Sequence, residues 1–280
     1  MSVEKVMSVR CVIWSIASTE RKNKLKKPIG ARIIGSPFLQ QYPTAMKLLD
    51  TNSLFQTVDN VSEALLFGEE ISLYEKSDIA KFIISRQVDE AYAGTFAPTE
   101  YDSKQDLVLL TGERIKSGAG RYHMIGEEAS RILRKLYVQD DKVKAALANS
   151  DHGLKTQIEK LLNDPKYSYY EYGMYCCKTC SCALWLNLAS GGLGNDKNML
   201  QAGMEYLKGF RENNGKWKGF PVYYLLYVLN EIELQLAIDE LNHCMPFVEK
   251  RLKRKKQDKT IHDFRRTYIC KKIISKINLN

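Results

Sequence analysis

The sequence predicts a mainly α protein, antiparallel helical hairpins with at most a few short strands, and three observations carry that prediction. Apolar residues recur at helical spacing along most of the chain, glycine and proline punctuate those stretches, and alternating strand patterns are scarce. The 280 residues can bury one large core or two small ones. A composition of 44% hydrophobic and 27% charged residues is that of a globular chain rather than a disordered or membrane one. No run approaches the ~18 uninterrupted apolar residues of a membrane-spanning helix. Seven cysteines, four of them crowded into one segment, suit reduced thiols and a cytoplasmic setting better than a disulfide framework.

Taken in order, VRCVIWSIA reads as a short buried strand or helix turn, with no small-residue cleavage site of a secretory leader. Helix signals begin around Pro43–Leu49 and Asn60–Phe67. Ser77 and Asp78 are the expected cap of DIAKFIISRQ, which puts Ile79, Phe82 and Ile83 on one face. Val108–Ile115 is the second strand candidate. Met124–Val138 carries Ile125, Ala129, Ile132, Leu133 and Leu136 at helical spacing. Two amphipathic pieces follow, DKVKAALANS and GLKTQIEKLLND, and Pro165 stops the latter because proline cannot continue the backbone ladder. EYGMYCCKTCSCALWLNLAS reads as one helix from about Tyr172 to Ala189, ended by Gly191 and Gly192.

The next stretch, LKGFRENNGKWKGFPVYYLLYVLNEI, reads as helix, glycine turn, helix. Leu207, Arg211, Gly215 and Trp217 form a Leu-x₃-Arg-x₃-Gly-x-Trp pattern, and Ile83, Gln87, Gly94 and Phe96 form a looser copy. Each places a polar residue at a helix end, then a glycine able to take positive φ, then an aromatic to fill the gap beside the turn. Pro221 opens the following helix, where its missing N–H is harmless. Trp217 is therefore expected to be a buried staple.

That pattern resembles the repeat of the α/α-toroid superfamily, which includes terpenoid cyclases and protein prenyltransferases. Arg211 stands where glutamine is usual and Phe96 where tryptophan is usual. The resemblance implies paired helices wrapped into a partial or closed toroid over residues 1–249, with Glu171–Ala189 and Pro221–Ile232 as inner helices around an apolar cavity. It does not carry the chemistry across. Neither an Asp-x-Asp-Asp acid nor an Asp-Asp-x-x-Asp metal site is present. The Asp, Cys and His that hold zinc in protein prenyltransferases also have no counterpart, because His243-Cys244 is the only adjacent His-Cys pair. The chain reads as a noncatalytic or divergent relative.

The candidate ligand-binding residues are His123, Glu127, Tyr175, Cys176, Cys180, Tyr223 and Tyr227. His123 and Glu127 lie four apart, as do Tyr223 and Tyr227, so each pair shares a helix face. His123 and Glu127 can act as base and acid, or the carboxylate can simply complement a helix N-terminus. Cys176, Cys177, Cys180 and Cys182 lack the second knuckle of a structural zinc site. On a continuous helix they are small packing residues, and no metal and no cofactor is expected.

The charge is lopsided. Residues 250–280 hold twelve Lys or Arg against Asp258 and Asp263, a balance of +10, which leaves −1 on the first 249 of a chain whose total is +9. This basic segment, Lys250–Lys276, can meet nucleic acid or an anionic surface. Its apolar residues, among them Phe264, Ile269 and Ile273, equally suit a helix docked on the body. Two function classes follow: a cavity protein that binds an apolar or extended ligand, or a helical-repeat interaction protein.

Overall fold

A computed structural model describes residues 47–88, 94–115, 118–167, 170–254 and 260–279. The chain divides into two compact units, Met1–Pro43 and Thr44–Asn280, and every described residue belongs to the second. The expected N-terminal strand or helix turn and most of the helix signal at Pro43–Leu49 lie outside the described residues.

The described chain is mainly helical. Its helices are α1 (Leu54–Phe67), α2 (Leu73–Ile84), α3 (Glu100–Lys104), α4 (Gly118–Leu136), α5 (Asp141–Asn163), α6 (Lys178–Ala189), α7 (Lys197–Lys208), α8 (Val222–Glu231), α9 (Gln235–His243), α10 (Met245–Leu252) and α11 (Ile261–Ile277). The one sheet among the described residues pairs β1 (Gln87–Val88) with β2 (Thr95–Phe96), antiparallel. Val108–Ile115 forms a turn closed by a single bridge between Val108 and Arg114 instead of a strand. None of these helices is long and apolar enough to cross a membrane.

Three helix boundaries differ from expectation. Ser72, not Ser77, caps α2, through a reciprocal box in which the Ser72 hydroxyl accepts from the Glu75 N–H and the Glu75 carboxylate accepts from the Ser72 N–H. The two amphipathic pieces 141–150 and 153–164 form the single helix α5. The expected helix from Tyr172 begins only at Lys178, because Cys177 is its extended N-cap and Gly173 turns the chain with φ of 89°. A Cβ at Gly173 would lie 2.4 Å from the Gly203 backbone nitrogen, so α7 excludes any side chain there.

α6 and α8 are the central helices: Cys180–Leu188 and Tyr224–Leu229 are buried on every face. α4 packs on α1 and α6, α8 packs on α6, α9 and α11, and α7 packs on α6 and α9. The two sequence repeats share one backbone pairing. Gln87 pairs across the chain with Phe96, and Arg211 with Trp217, each pair enclosing a glycine of positive φ. Both aromatics are buried, as the plug role requires. The bridge from Val108 to Arg114 encloses Gly112 in the same way, a third instance without the aromatic.

The basic C-terminal segment points much of its charge inward. Arg265 is buried against Glu63 and Asp59, and Arg266 donates to the Thr111 carbonyl. Lys276 donates to the carbonyls of Asn230 and Ile232 at the C-terminus of α8, where a cation also complements the helix dipole. Lys272 reaches Leu66 at the end of α1 in the same manner. These cations satisfy the acceptors of the surface on which α11 docks.

Candidate metal centre

His123 lies in the second turn of α4, and Cys176 and Cys177 lie in the extended stretch just before α6, with Cys180 in its first turn. Local hydrogen bonds set that stretch. The Ser181 hydroxyl accepts from the Tyr175 N–H at 2.9 Å and donates to the Cys177 carbonyl at 2.8 Å. Trp185 Nε1 donates to the Gly173 carbonyl at 2.7 Å, which holds the turn against α6. The Tyr175 ring stacks on His123 at 4.4 Å between centroids.

The close packing of α4 on α6 then brings three donors together. His123 Nδ1 is 2.8 Å from Cys176 Sγ, and one donor atom each of His123, Cys176 and Cys180 lie within 4.8 Å of one another. A tetrahedral zinc ion, with Zn–S of about 2.3 Å and Zn–N of about 2.0 Å, sets such donors roughly 3.5–4 Å apart. The side chains therefore need to move by less than an ångström or so to hold one. His123 and Cys180 are buried, whereas Cys176 and Cys177 are exposed, so the cluster is closed on one side and open on the other.

Its electrostatics suit a cation. Burial pushes the His123 imidazole down to about 4, against the opposing charge of Cys177, so it is a neutral donor at pH 7. The thiols of Cys176, Cys177 and Cys180 shift one another's ionisation. Bonds from Cys176 and then Cys180 hold Cys177 far below the usual thiol range. The bond to Cys177 and burial push Cys176 up to about 12, and bonds to both neighbours drive Cys180 upward. A divalent ion would neutralise the second and third thiolates that crowding otherwise forbids.

The seven candidates are not one constellation. His123, Tyr175, Cys176 and Cys180 come together. Glu127 is buried one turn along α4 and accepts a 2.6 Å bond from Asn187 of α6. Its acidic neighbours Asp151 and Glu128 and its burial outweigh Asn187 and Arg134, and its carboxyl is pushed up to about 7, chiefly by burial. It lies inside α4, so the helix-start explanation of its charge is replaced by this buried network. Tyr227 is bonded by Arg131 at 2.6 Å, beside Tyr224, which donates to Glu128 at 2.5 Å. Tyr223 instead packs on Phe247 and under the Arg266 guanidinium. An open depression of about 530 Å³ is lined by Asp50, Arg86 and Glu100 among others, and none of the seven candidates borders it.

Sequence reasoning missed Glu113, which accepts from the Tyr223 and Tyr224 N–H groups and so caps α8 from a distance. No local signal marks a cap supplied 110 residues away. It also set the cysteines aside on the strength of a helix that starts later than expected. The packing role holds for the buried Cys180 and Cys182 but not for the exposed Cys176 and Cys177.

Glu127 gives a pH prediction. Its folded value of about 7 lies above the ordinary 4.5, so the folded chain binds the proton more tightly. Stability from this group is greatest below about pH 4.5 and falls as pH rises through the window to about 7. Glu127→Gln is expected to flatten that fall and to leave the variant more stable than the parent above pH 7. Denaturant midpoints across the range check it; parallel slopes for parent and variant would count against it.

Comparison with known proteins finds no match: no family model, no curated protein and no solved structure matches the chain.

Proposed function

We propose that this protein binds a thiophilic divalent ion, zinc first among them, through His123, Cys176 and Cys180. The observation that carries the reading is the convergence of these donors from two elements 53 residues apart. Three protein ligands of this type, with one side open to solvent, match the coordination of zinc ions that keep a position for water or substrate. Such an ion supplies Lewis acidity there. The chain's own residues hold it, with the Tyr175 ring packed at a tilt against the imidazole and Ser181 tying the cysteine turn to α6.

The shared turn geometry of the two repeats and the fully buried α6 and α8 support kinship with the α/α toroids. We favour the metal reading over the expected absence of a metal and over the apolar-cavity reading, because Tyr227 is bonded by Arg131 and Tyr223 packs on Phe247 instead of beside His123. A cysteine nucleophile paired with His123 is the second reading, favoured by the 2.8 Å contact. The elevated Cys176 thiol argues against it, because the thiolate is the reactive form. Nucleic-acid binding through Lys250–Lys276 is weaker still, with Arg265, Arg266, Lys272 and Lys276 committed to the body.

The reduced protein purified without chelator is expected to carry about one zinc per chain by elemental analysis. His123→Ala, Cys176→Ala and Cys180→Ala should each weaken zinc binding at least ~10–100-fold, while Cys182→Ala should not. Metal-free protein after reconstitution, or equal losses in the Cys182 variant, would overturn the assignment.

A further inference from the structure

We propose that Cys177 and Cys180 form a redox-active dithiol whose substrate class is a low-molecular-weight disulfide. Its effect on the ion rests on the metal reading above, since Cys180 belongs to the proposed ligand set. Cys177 does not belong to the three donors that lie within 4.8 Å of one another, so it remains available when they are engaged.

The fold gives the two thiols different tasks. Cys177 is the N-cap of α6 and exposed, which lets a reagent from solvent reach its sulfur. That sulfur accepts from the Cys180 N–H at 3.4 Å, so it sits over the first turn beside Cys180. Cys180 is buried, out of reach of an external disulfide, while its backbone N–H is bonded to the Cys177 sulfur. One Cys-x-x-Cys pair at a helix start thus presents an attacking thiol outside and a resolving thiol inside.

The chemistry balances. The Cys177 thiolate attacks one sulfur of the external disulfide, whose S–S bond breaks and releases one small thiolate. The resulting mixed disulfide is attacked by Cys180, which gives its proton to solvent, and the second small thiolate leaves. Two protein thiols are oxidised by two electrons, and the external disulfide is reduced to two thiols. Closing this bond takes Cys180 out of the ligand set, so oxidation releases the ion and reduction restores its site.

Oxidised glutathione is the probe, applied to the full chain both stripped of metal and loaded with zinc. In the stripped protein, peptide mapping is expected to find a Cys177–Cys180 disulfide that dithiothreitol reverses. Cys180→Ser should trap one glutathione on Cys177, and Cys177→Ser should slow disulfide formation at least roughly tenfold. Cys182→Ser, with Cys182 buried deeper in α6, should behave as the parent. In the loaded protein, zinc should slow the oxidation and leave as the disulfide forms. Failure to form the Cys177–Cys180 bond, or preferential trapping of glutathione on Cys176, overturns the dithiol even if zinc binds. Formation of the bond in a protein that takes up no zinc upholds the dithiol and removes the metal reading instead.

Discussion

Replacing Arg265 with alanine is expected to lower stability by about 3–5 kcal/mol, because it strands two buried carboxylates. Arg265 is 4% exposed, and its Nε and Nη2 clasp Glu63 at 3.1 and 2.8 Å. Nη2 also meets Asp59 at 3.1 Å, while Nη1 donates to the Leu110 carbonyl at 3.0 Å. Even with this partner, burial pushes Asp59 up to about 6. Without Arg265 the two acids face each other, and at least one must take up a proton. The loss should therefore be larger at pH 8 than at pH 5. Replacing Glu63, Asp59 and Arg265 together with apolar residues of similar size should recover much of it, since the cost lies in the unpaired charge. Denaturant melts at both pH values test this, and an Arg265→Ala midpoint within error of the parent would refute the burial argument.

Trp217→Ala should cost a similar amount, about 3–5 kcal/mol, by a different route. The indole is 2% exposed, and its Nε1 donates to Glu240 at 2.7 Å. Glu240 is in turn held by Arg211 through two hydrogen bonds, at 3.1 and 2.8 Å. Removing the ring opens a cavity behind the glycine turn and takes one of three bonds from a buried carboxylate. Trp217→Phe separates the two terms: it keeps most of the packing and loses the donor, so about 1–3 kcal/mol is expected. A Trp217→Ala protein with an unchanged unfolding midpoint would mean the ring carries no packing load.

Much of the fold was legible because its determinants are local. The periodicity of 124–138 and 197–208, the stop at Pro165 and the Gly-x-Trp turn depend on residues within a few positions of one another. Arg211 and Gln87 show where that legibility ends. Their place at a helix end, ahead of a glycine and an aromatic, could be read from spacing, but their backbone pairing with that aromatic and their side-chain partners could not. Gln87 reaches the Ala146 carbonyl and Arg211 reaches Glu240, both on other helices. The cap of α2 was misplaced although it was locally legible: Ser72 has Glu75 three residues on, the capping-box spacing, whereas Ser77 has Ala80 there.

The sequence by itself determined that the chain is helical, where its glycine turns fall, that Trp217 and Phe96 plug those turns, and that the charge gathers after residue 250. Tertiary structure decided what those features are for. It turned Arg265 and Lys276 inward onto carboxylates and helix-end carbonyls, because a docked helix must satisfy the acceptors it covers. It also started the cysteine helix only at Lys178, where Cys177 is the extended N-cap and Gly173 turns the chain against the backbone of α7. That freed Cys176 to meet His123 across the packing of α4 on α6. A contact between residues 53 apart has no local signature, because packing rather than spacing makes it.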